Sequence, residues 1–227
     1  MTKPEWILVS VSVVLCAASV FSIVPMWRRG SFKMGPLPPS PVPLRSIRPL
    51  AQVLAKGSDF NIVAQALDYE CPPCHAQEKF NSRFRTLHPQ VTWIVLQFPL
   101  RMHPHAYEFS LLAIEADKRG KFPEFHETVS SQTIDAGESM EQFLKRTAPS
   151  LVELTREDLR KNEGYRKLLS EIKRLPITGT PTYFLFRRDG RNAITQSSTR
   201  IEGFLYGAEG GSRPAEDKPC SLGDPGC

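Results

Sequence analysis

The stretch "YECPPCHAQ", residues 69–77, places a cysteine on either side of two prolines, and the segments around it show what fold carries this pair. Upstream, "NIVAQAL" (61–67) is a short apolar run typical of a buried strand. Downstream, apolar residues recur at helical spacing from Cys74 to Leu87. The cysteine pair therefore lies between a strand and a helix, with Cys71 at the position that caps the helix.

This placement predicts thiol chemistry with different roles for the two cysteines. Free backbone N–H groups and the positive end of the helix dipole face Cys71, stabilise its thiolate and lower its pKa. Cys71 is therefore the candidate nucleophile. Cys74 follows one turn later, close enough to form a disulfide and to resolve a mixed disulfide formed by Cys71. Pro72 and Pro73 are tolerated because the first N–H groups of a helix have no intrahelical partner.

Half of a zinc site is the alternative use of two cysteines at this spacing. Its other half would come from Cys220 and Cys227, in a tail rich in glycine and proline, or from histidines. His103 and His105 are close together, but their spacing suits a loop better than a ligand pair. The sequence thus predicts a redox dithiol without a metal or another cofactor.

The rest of the chain predicts a sheet interrupted by helices. "VTWIVLQF" (91–98) is a second strand, which makes a strand–helix–strand unit with a parallel pair. Four or five helices follow and form an inserted subdomain over about residues 100–176. "TYFLF" (182–186) returns to strand, Asp189-Gly190 supplies a hairpin turn, and a further strand is predicted near 199–205.

Three blocks of sequence resemble the DsbA-like thiol–disulfide oxidoreductases, a family of the thioredoxin superfamily. The blocks are "ALDYECPPC", "FPLRMHPHAYEFSLLAIEADKRGKFPEFHE" and "GTPTYFLF". The resemblance covers about residues 58–206 and implies an α/β thioredoxin fold with an inserted helical subdomain. It also implies that Cys71 is the nucleophile, Cys74 the resolving thiol and Pro181 a cis-proline. The cis bond would leave the backbone of Thr180 free to pair with an extended substrate peptide.

The chain departs from the family pattern at three places. An acidic residue usually lies six positions before the first cysteine, where this chain has Gln65. Pro73 has no N–H to donate to the Cys71 thiolate. We therefore hypothesise that the pKa of Cys71 is lowered less than in strongly oxidising relatives. Finally, the family's fold ends in a helix packed on the sheet, but after residues 204–206 the sequence shows a glycine-rich tail, so the tail or a partner would cover that face.

The N-terminal part predicts a membrane anchor and a spacer. Trp6–Trp27 is uncharged, long enough to cross a bilayer, and has tryptophan at both ends. We predict an uncleaved anchor over residues 1–28, with a cleaved signal peptide as the alternative. The proline-rich run that follows predicts an extended linker over residues 29–57. Residues 207–227 form a flexible tail, in which the last two cysteines either pair or stay free.

Together these features predict a membrane-anchored thiol–disulfide oxidoreductase acting in an extracytoplasmic space. Its partners would be cysteine-containing protein substrates and a redox protein that reoxidises or reduces the dithiol. Nucleic acid is excluded as a partner, because the net charge of +5 is spread without a basic stripe with interleaved aromatics. The direction of electron flow stays open, and so does the topology, because Arg28, Arg29 and Lys33 follow the span and favour a cytoplasmic location. The alternative function is a thioredoxin-like module that binds peptides or an assembly partner and whose disulfide is structural.

Overall fold

The computed structural model describes residues 35–57, 60–156 and 158–207. Pro36 begins the compact unit that contains their secondary structure. Among these residues, no helix combines the length and apolarity needed to cross a bilayer. The predicted anchor and the predicted tail, with Cys16, Cys220 and Cys227, lie outside the described residues.

A mixed five-stranded sheet forms the centre of the described unit, in the order β1-β3-β2-β4-β5. β2 and β3 are parallel, which confirms the predicted strand–helix–strand unit, and the other neighbours are antiparallel. All residues of β2 and β4 are buried, so both faces of the sheet are covered. The strands are β1 (Gln52–Ala55), β2 (Ile62–Leu67), β3 (Thr92–Gln97), β4 (Thr182–Phe186) and β5 (Asn192–Thr195).

Helices connect these strands and confirm the predicted helical insertion between β3 and β4. The α-helices are α1 (Leu44–Ile47), α2 (Pro72–Leu87), α3 (Ala106–Lys118), α4 (Phe122–Val129), α5 (Met140–Thr147), α6 (Glu163–Ile172) and α7 (Ile201–Tyr206). Short 3-10 helices span Arg48–Leu50, Pro149–Arg156, Leu159–Lys161 and Ser198–Arg200. The insertion therefore consists of α3 to α6 and two of these 3-10 turns.

Packing inside the insertion is both apolar and polar. α3 is buried over most of its length, and Phe109 packs edge-on against Phe143 of α5 with ring centroids 5.4 Å apart. α5 begins at a capping box, in which the Ser139 side chain and backbone exchange hydrogen bonds with Gln142. The Tyr165 hydroxyl of α6 donates to the Glu115 carboxylate of α3 at 2.5 Å. These contacts join α3 to α5 and to α6.

An aromatic cluster holds α2 against the sheet. Phe84 of α2 packs on Trp93 of β3 with centroids 6.0 Å apart, and Trp93 packs edge-on against Tyr183 of β4 at 6.1 Å. Buried Asn81 donates to the Tyr183 hydroxyl at 3.0 Å. Because α2 is fixed on both strands, its first residue has a defined place at the end of β2.

The proline-rich segment is not a free spacer over its described part, so the prediction of a linker up to residue 57 is wrong there. Leu37, Val42 and Ile47 are buried, and β1 pairs antiparallel with β3. Apolar residues between the prolines supply side chains to the core, and this outweighs the extended preference that the prolines suggested. The folded unit therefore begins well before residue 58.

The same segment also reaches the opposite edge of the sheet. The backbone N–H of Ile194 in β5 donates to the Pro38 carbonyl at 2.9 Å. The backbone N–H of Ser40 donates to the side chain of Asn192 at 2.9 Å. Residues 38–55 therefore run from the outer edge of β5 to the position of β1.

The end of the described chain differs from the prediction as well. The prediction of a strand near 199–205 is wrong, because β5 lies at Asn192–Thr195 and Ile201–Tyr206 form the short helix α7. Its buried residues Ile201, Phe204 and Leu205 have the i, i+3, i+4 spacing of a helix. Arg187 donates to the Phe204 carbonyl at 3.0 Å. A terminal helix is thus present, although the sequence pattern suggested none.

Candidate active site

The sheet register brings the four predicted site residues together. Ala66 near the end of β2 lies opposite Thr182 of β4, so Thr180 and Pro181 precede β4 beside the point where the chain leaves β2. The Thr180-Pro181 peptide bond is cis, in agreement with the prediction. The Cys71 thiol donates a hydrogen bond to the Thr180 carbonyl oxygen at 3.2 Å.

The two cysteines are free thiols with opposite electrostatic settings. Cys71 is the N-cap of α2, as predicted, and is 3% exposed, while Cys74 is 6% exposed. A hydrogen bond from the Cys74 thiol lowers the pKa of Cys71 to about 6; burial opposes this, while the Thr180 side chain and the Cys74 backbone N–H support it. The reciprocal hydrogen bond and burial raise the pKa of Cys74. These opposite shifts favour the thiolate form of Cys71 and keep the proton on Cys74. The hydrogen bond to the Thr180 carbonyl belongs to the protonated form of Cys71.

The Thr180 side chain contributes to the low pKa of Cys71, which the sequence did not indicate. The prediction concerned its backbone, whereas its buried hydroxyl has no hydrogen-bond partner of its own among the described residues. Since this side chain also lowers the pKa of Cys71, its hydroxyl is available to donate to the thiolate. The spacing before β4 could have indicated the position, but not the direction of the hydroxyl.

Gln65, six positions before Cys71, is fully buried. Its side-chain oxygen accepts a hydrogen bond from the Trp93 indole N–H at 3.1 Å, and its Nε2 has no partner among the described residues. Gln65, Cys74 and Glu78 line one small pocket that is partly open to solvent. The pocket beside the dithiol thus contains the uncharged amide of Gln65 and the Glu78 carboxylate.

Glu78 belongs to a charged cluster beneath the dithiol. Its carboxylate lies 2.7 Å from Arg85 and 3.5 Å from Nε2 of His126, and Nδ1 of His126 lies 3.1 Å from the Tyr69 hydroxyl. Burial opposes ionisation, but His126 and then Arg85 outweigh it and lower the pKa of Glu78 to about 2. The i, i+4 spacing from Cys74 could have indicated Glu78. His126 comes from the insertion, where sequence spacing gives no such signal.

Two carboxylates before Cys71 hold the loop that follows β3. Buried Asp68 accepts hydrogen bonds from the Leu100 backbone N–H at 2.7 Å and from Nδ1 of His103 at 2.8 Å. Glu70 accepts from the His105 backbone N–H at 2.6 Å. The histidines were interpreted as loop residues, and these contacts agree. No sequence pattern indicated that the motif's own carboxylates would bind that loop.

The described residues contain no group of three or more histidine, cysteine, aspartate or glutamate side chains arranged to hold a metal ion. Cys220 and Cys227, on which the zinc alternative depended, lie outside the described residues.

Comparison with solved structures identifies the fold. No family model and no curated protein matches the sequence. A thioredoxin-like oxidoreductase from Silicibacter pomeroyi DSS-3 superposes with a TM-score of 0.53 at 20% identity, over 63% of this chain and 86% of that one. DsbA2 of Pseudomonas aeruginosa gives 0.51 at 18% identity, over 67% and 92%. A periplasmic thioredoxin-like protein of Salmonella enterica serovar Typhimurium gives 0.53 at 15% identity, over 63% and 82%. The chain has a thioredoxin-like fold with a helical insertion.

In this thioredoxin-like fold, the dithiol lies at the end of the central strand β2 and the cis-proline lies just before the neighbouring strand β4. These likenesses support the resemblance to DsbA-like proteins at the level of the fold. In the site itself, the pKa of Cys71 is lowered and the pKa of Cys74 is raised, so the thiolate is favoured at Cys71 and the proton at Cys74. The Thr180 backbone lies within hydrogen-bond distance of the Cys71 sulfur. These are the parts that thiol–disulfide exchange requires.

Proposed function

We propose that this protein is a thiol–disulfide oxidoreductase that exchanges disulfides with cysteine-containing protein substrates through Cys71 and Cys74. The proposal includes a membrane anchor within residues 1–28, an extracytoplasmic folded domain, and a separate redox protein that resets the dithiol. The thioredoxin-like fold and its likeness to a periplasmic structure support the enzyme class and the compartment. The apolar segment Trp6–Trp27 supports the anchor.

The exchange begins when a substrate thiolate attacks the Cys71 sulfur of the oxidised protein. The Cys71–Cys74 bond breaks, a mixed disulfide forms at Cys71, and the electron pair goes to the Cys74 sulfur, which takes up a proton because its pKa is raised. A second substrate thiolate then attacks the substrate sulfur of the mixed disulfide, and Cys71 leaves as a thiolate. Two electrons have then passed from the substrate to the dithiol. The redox partner removes them, and the same steps in reverse make a reductase.

The observation that carries the proposal is the contrast between the two thiols. Cys71 has a pKa lowered to about 6 and lies 3.2 Å from the backbone of Thr180, whereas the pKa of Cys74 is raised. A structural disulfide does not need this contrast, but a leaving group and a protonated partner do.

One observation favours the alternative, a peptide-binding or assembly module with a structural disulfide. Cys71 is only 3% exposed, so a substrate sulfur must displace part of the covering backbone to reach it. Alkylation of the reduced protein separates the two functions. An oxidoreductase reacts at Cys71 within minutes at pH 7 under native conditions, whereas a structural pair reacts only after unfolding.

Trapping of mixed disulfides in cells is the decisive test. In the Cys74→Ala variant the resolving thiol is missing, so substrate proteins should accumulate in reducible adducts with Cys71. The matched control is Cys71→Ala, which keeps Cys74 but lacks the nucleophile and should trap few proteins. Equal trapping by the two variants, or none by Cys74→Ala, would contradict the proposal.

Two measurements settle the open parts. Equilibration with glutathione buffers gives the reduction potential and hence the preferred direction of exchange. Labelling of a single cysteine placed at exposed Lys56 with a membrane-impermeant thiol reagent, in intact cells and after lysis, reports the side of the membrane. Labelling before lysis would exclude the cytoplasmic orientation that the positive residues after the span favour.

A further inference from the structure

Asp68 connects the dithiol to the loop after β3 through hydrogen bonds that take no part in the exchange reaction. Its side chain is inaccessible to solvent, and it accepts hydrogen bonds from the backbone N–H groups of Glu70 and Leu100 and from the His103 ring. Its own carbonyl oxygen accepts a hydrogen bond from the Cys71 N–H at 3.1 Å. A buried carboxylate therefore lies one hydrogen-bonded turn from the nucleophile.

His103 is the titratable side chain that faces this carboxylate. Nδ1 of its ring lies 2.8 Å from the Asp68 carboxylate, and its side chain is 17% exposed, so protons can enter and leave. When the ring is protonated, the pair with Asp68 is neutral overall. When the ring is neutral, the pair carries one negative charge.

Other ionisable groups surround the dithiol from each neighbouring element. They are Glu70 on the same turn, Cys74, His75 and Glu78 on α2, Arg85 further along α2, and His126 on α4. Glu78 is paired with Arg85 at 2.7 Å and lies 3.5 Å from Nε2 of His126. Glu70 is bound to the His105 N–H, and the His75 ring lies 2.5 Å from the Tyr69 carbonyl. Of the carboxylates, Asp68 is the one whose charge opposes formation of the Cys71 thiolate.

We propose that Asp68 and His103 form a positioning pair that makes the reactivity of Cys71 depend on the protonation of His103. The proposal rests on the proposed function, because it concerns the same nucleophile, but it assigns a regulatory role to two residues outside the dithiol. Neither residue touches the substrate in this role. They act by changing the charge next to the Cys71 sulfur.

The sign follows from Coulomb's law. The negative charge of Asp68 disfavours a thiolate, so it raises the pKa of Cys71 above the value that the other groups would set. Protonated His103 cancels that charge and favours the thiolate. The fraction of Cys71 present as thiolate is therefore larger when His103 is protonated than when its ring is neutral.

Alkylation rates of the reduced protein as a function of pH test the pair, and they need no disulfide-exchange activity. Cys16, Cys74, Cys220 and Cys227 are replaced by serine in every protein, so that Cys71 is the reporting thiol. Asp68→Asn should lower the pKa of Cys71 by at least about 0.5 units, and His103→Gln should raise it by a similar amount. Glu70→Gln is the matched control, because it removes the other carboxylate that holds the same loop, and it should shift the pKa by less than half as much as Asp68→Asn.

The double variant Asp68→Asn/His103→Gln separates a charge effect from a loop effect. The shift caused by His103→Gln should largely vanish when Asp68 is already neutral, since there is no charge left to cancel. An equal shift in both backgrounds would overturn the proposal, and so would a shift of Asp68→Asn no larger than that of Glu70→Gln. If circular dichroism shows that Asp68→Asn does not fold, His103→Gln alone tests the proposal. The glutamine amide can still donate to Asp68, so the loop contact is kept. An unchanged pKa of Cys71 in this variant would overturn the proposal. Failure of exchange activity with these shifts intact would count against the proposed function alone.

Discussion

Replacing Cys74 tests how the low pKa of Cys71 arises. The hydrogen bond from the Cys74 thiol is the largest cause of that low value, ahead of the Thr180 side chain and the Cys74 backbone N–H. Cys74→Ala removes the thiol and keeps the backbone N–H. Cys74→Ser replaces it with a hydroxyl, which is a better donor of similar size.

The magnitude follows from the strength of a hydrogen bond to a charged group. Such a bond contributes about 1.5–3 kcal/mol, and one pKa unit corresponds to about 1.4 kcal/mol. Cys74→Ala should therefore raise the pKa of Cys71 from about 6 by about 1–2 units. Cys74→Ser should leave it within about 0.5 units of its starting value.

The assay is the rate of iodoacetamide alkylation between pH 4 and pH 10, with the cysteines outside the dithiol replaced by serine. Each rate profile gives the pKa of Cys71 directly, because the thiolate is the reacting species. A pKa that is the same in Cys74→Ala and Cys74→Ser would refute the reasoning, since the side-chain donor would then have no effect. A starting pKa near 4 would contradict the hypothesis that Gln65 and Pro73 temper the oxidant.

Three further predictions concern groups around the dithiol. Thr180→Val keeps the shape of the side chain and removes its hydroxyl, so the same alkylation assay should show a rise in the pKa of Cys71 of about 0.5–1 units. An unchanged pKa of Cys71 would mean that the hydroxyl does not reach the thiolate. Gln65→Glu places a carboxyl group at a fully buried position, where burial raises its pKa, so stability is kept below about pH 4 and lost as the pH rises. Urea unfolding should show a cost about 1–3 kcal/mol larger at pH 8 than at pH 4, and equal costs would contradict burial of the new charge. Glu78 has a lowered pKa of about 2, so its contribution to the free energy of unfolding is present above about pH 4.5 and lost as the pH falls towards 2. Glu78→Gln should therefore lower the free energy of unfolding by about 3 kcal/mol at pH 7 and flatten the loss of stability in acid. A variant as acid-sensitive as the parent protein in urea unfolding would show that other groups cause that loss.

The parts of the fold that the sequence predicted are those with local, repeating signals. β2, α2 and β3 follow each other with clear strand and helix periodicities, and the predicted placement of Cys71 at the N-cap is confirmed. Thr180-Pro181 was placed by resemblance, and its cis bond agrees. Such features depend on residues that are close in the chain or on a motif of fixed spacing.

The parts that were missed depend on contacts between distant segments. Leu37, Val42 and Ile47 are separated by prolines, so no periodicity shows that they are buried. α7 has only six residues, too few for a helical pattern to be distinguished from a strand. The role of Asp68 needs a loop more than 30 positions further along the chain, as the separations of its bonds to Leu100 and His103 show. Tertiary contacts decide these features, and a single sequence does not display them.

The path of residues 38–55 around the sheet bears on whether other polypeptides can pair with the sheet edges. Unfolded polypeptides add readily to any open strand edge, which leads to aggregation. Pro38 accepts from the outer edge of β5 and has no N–H with which to extend the ladder, while β1 is four residues long and irregular between Val53 and Ala55. Both borders of the sheet are therefore poor templates. If the proposed function holds, substrate chains would then meet the protein at the Thr180 backbone rather than at the sheet edges.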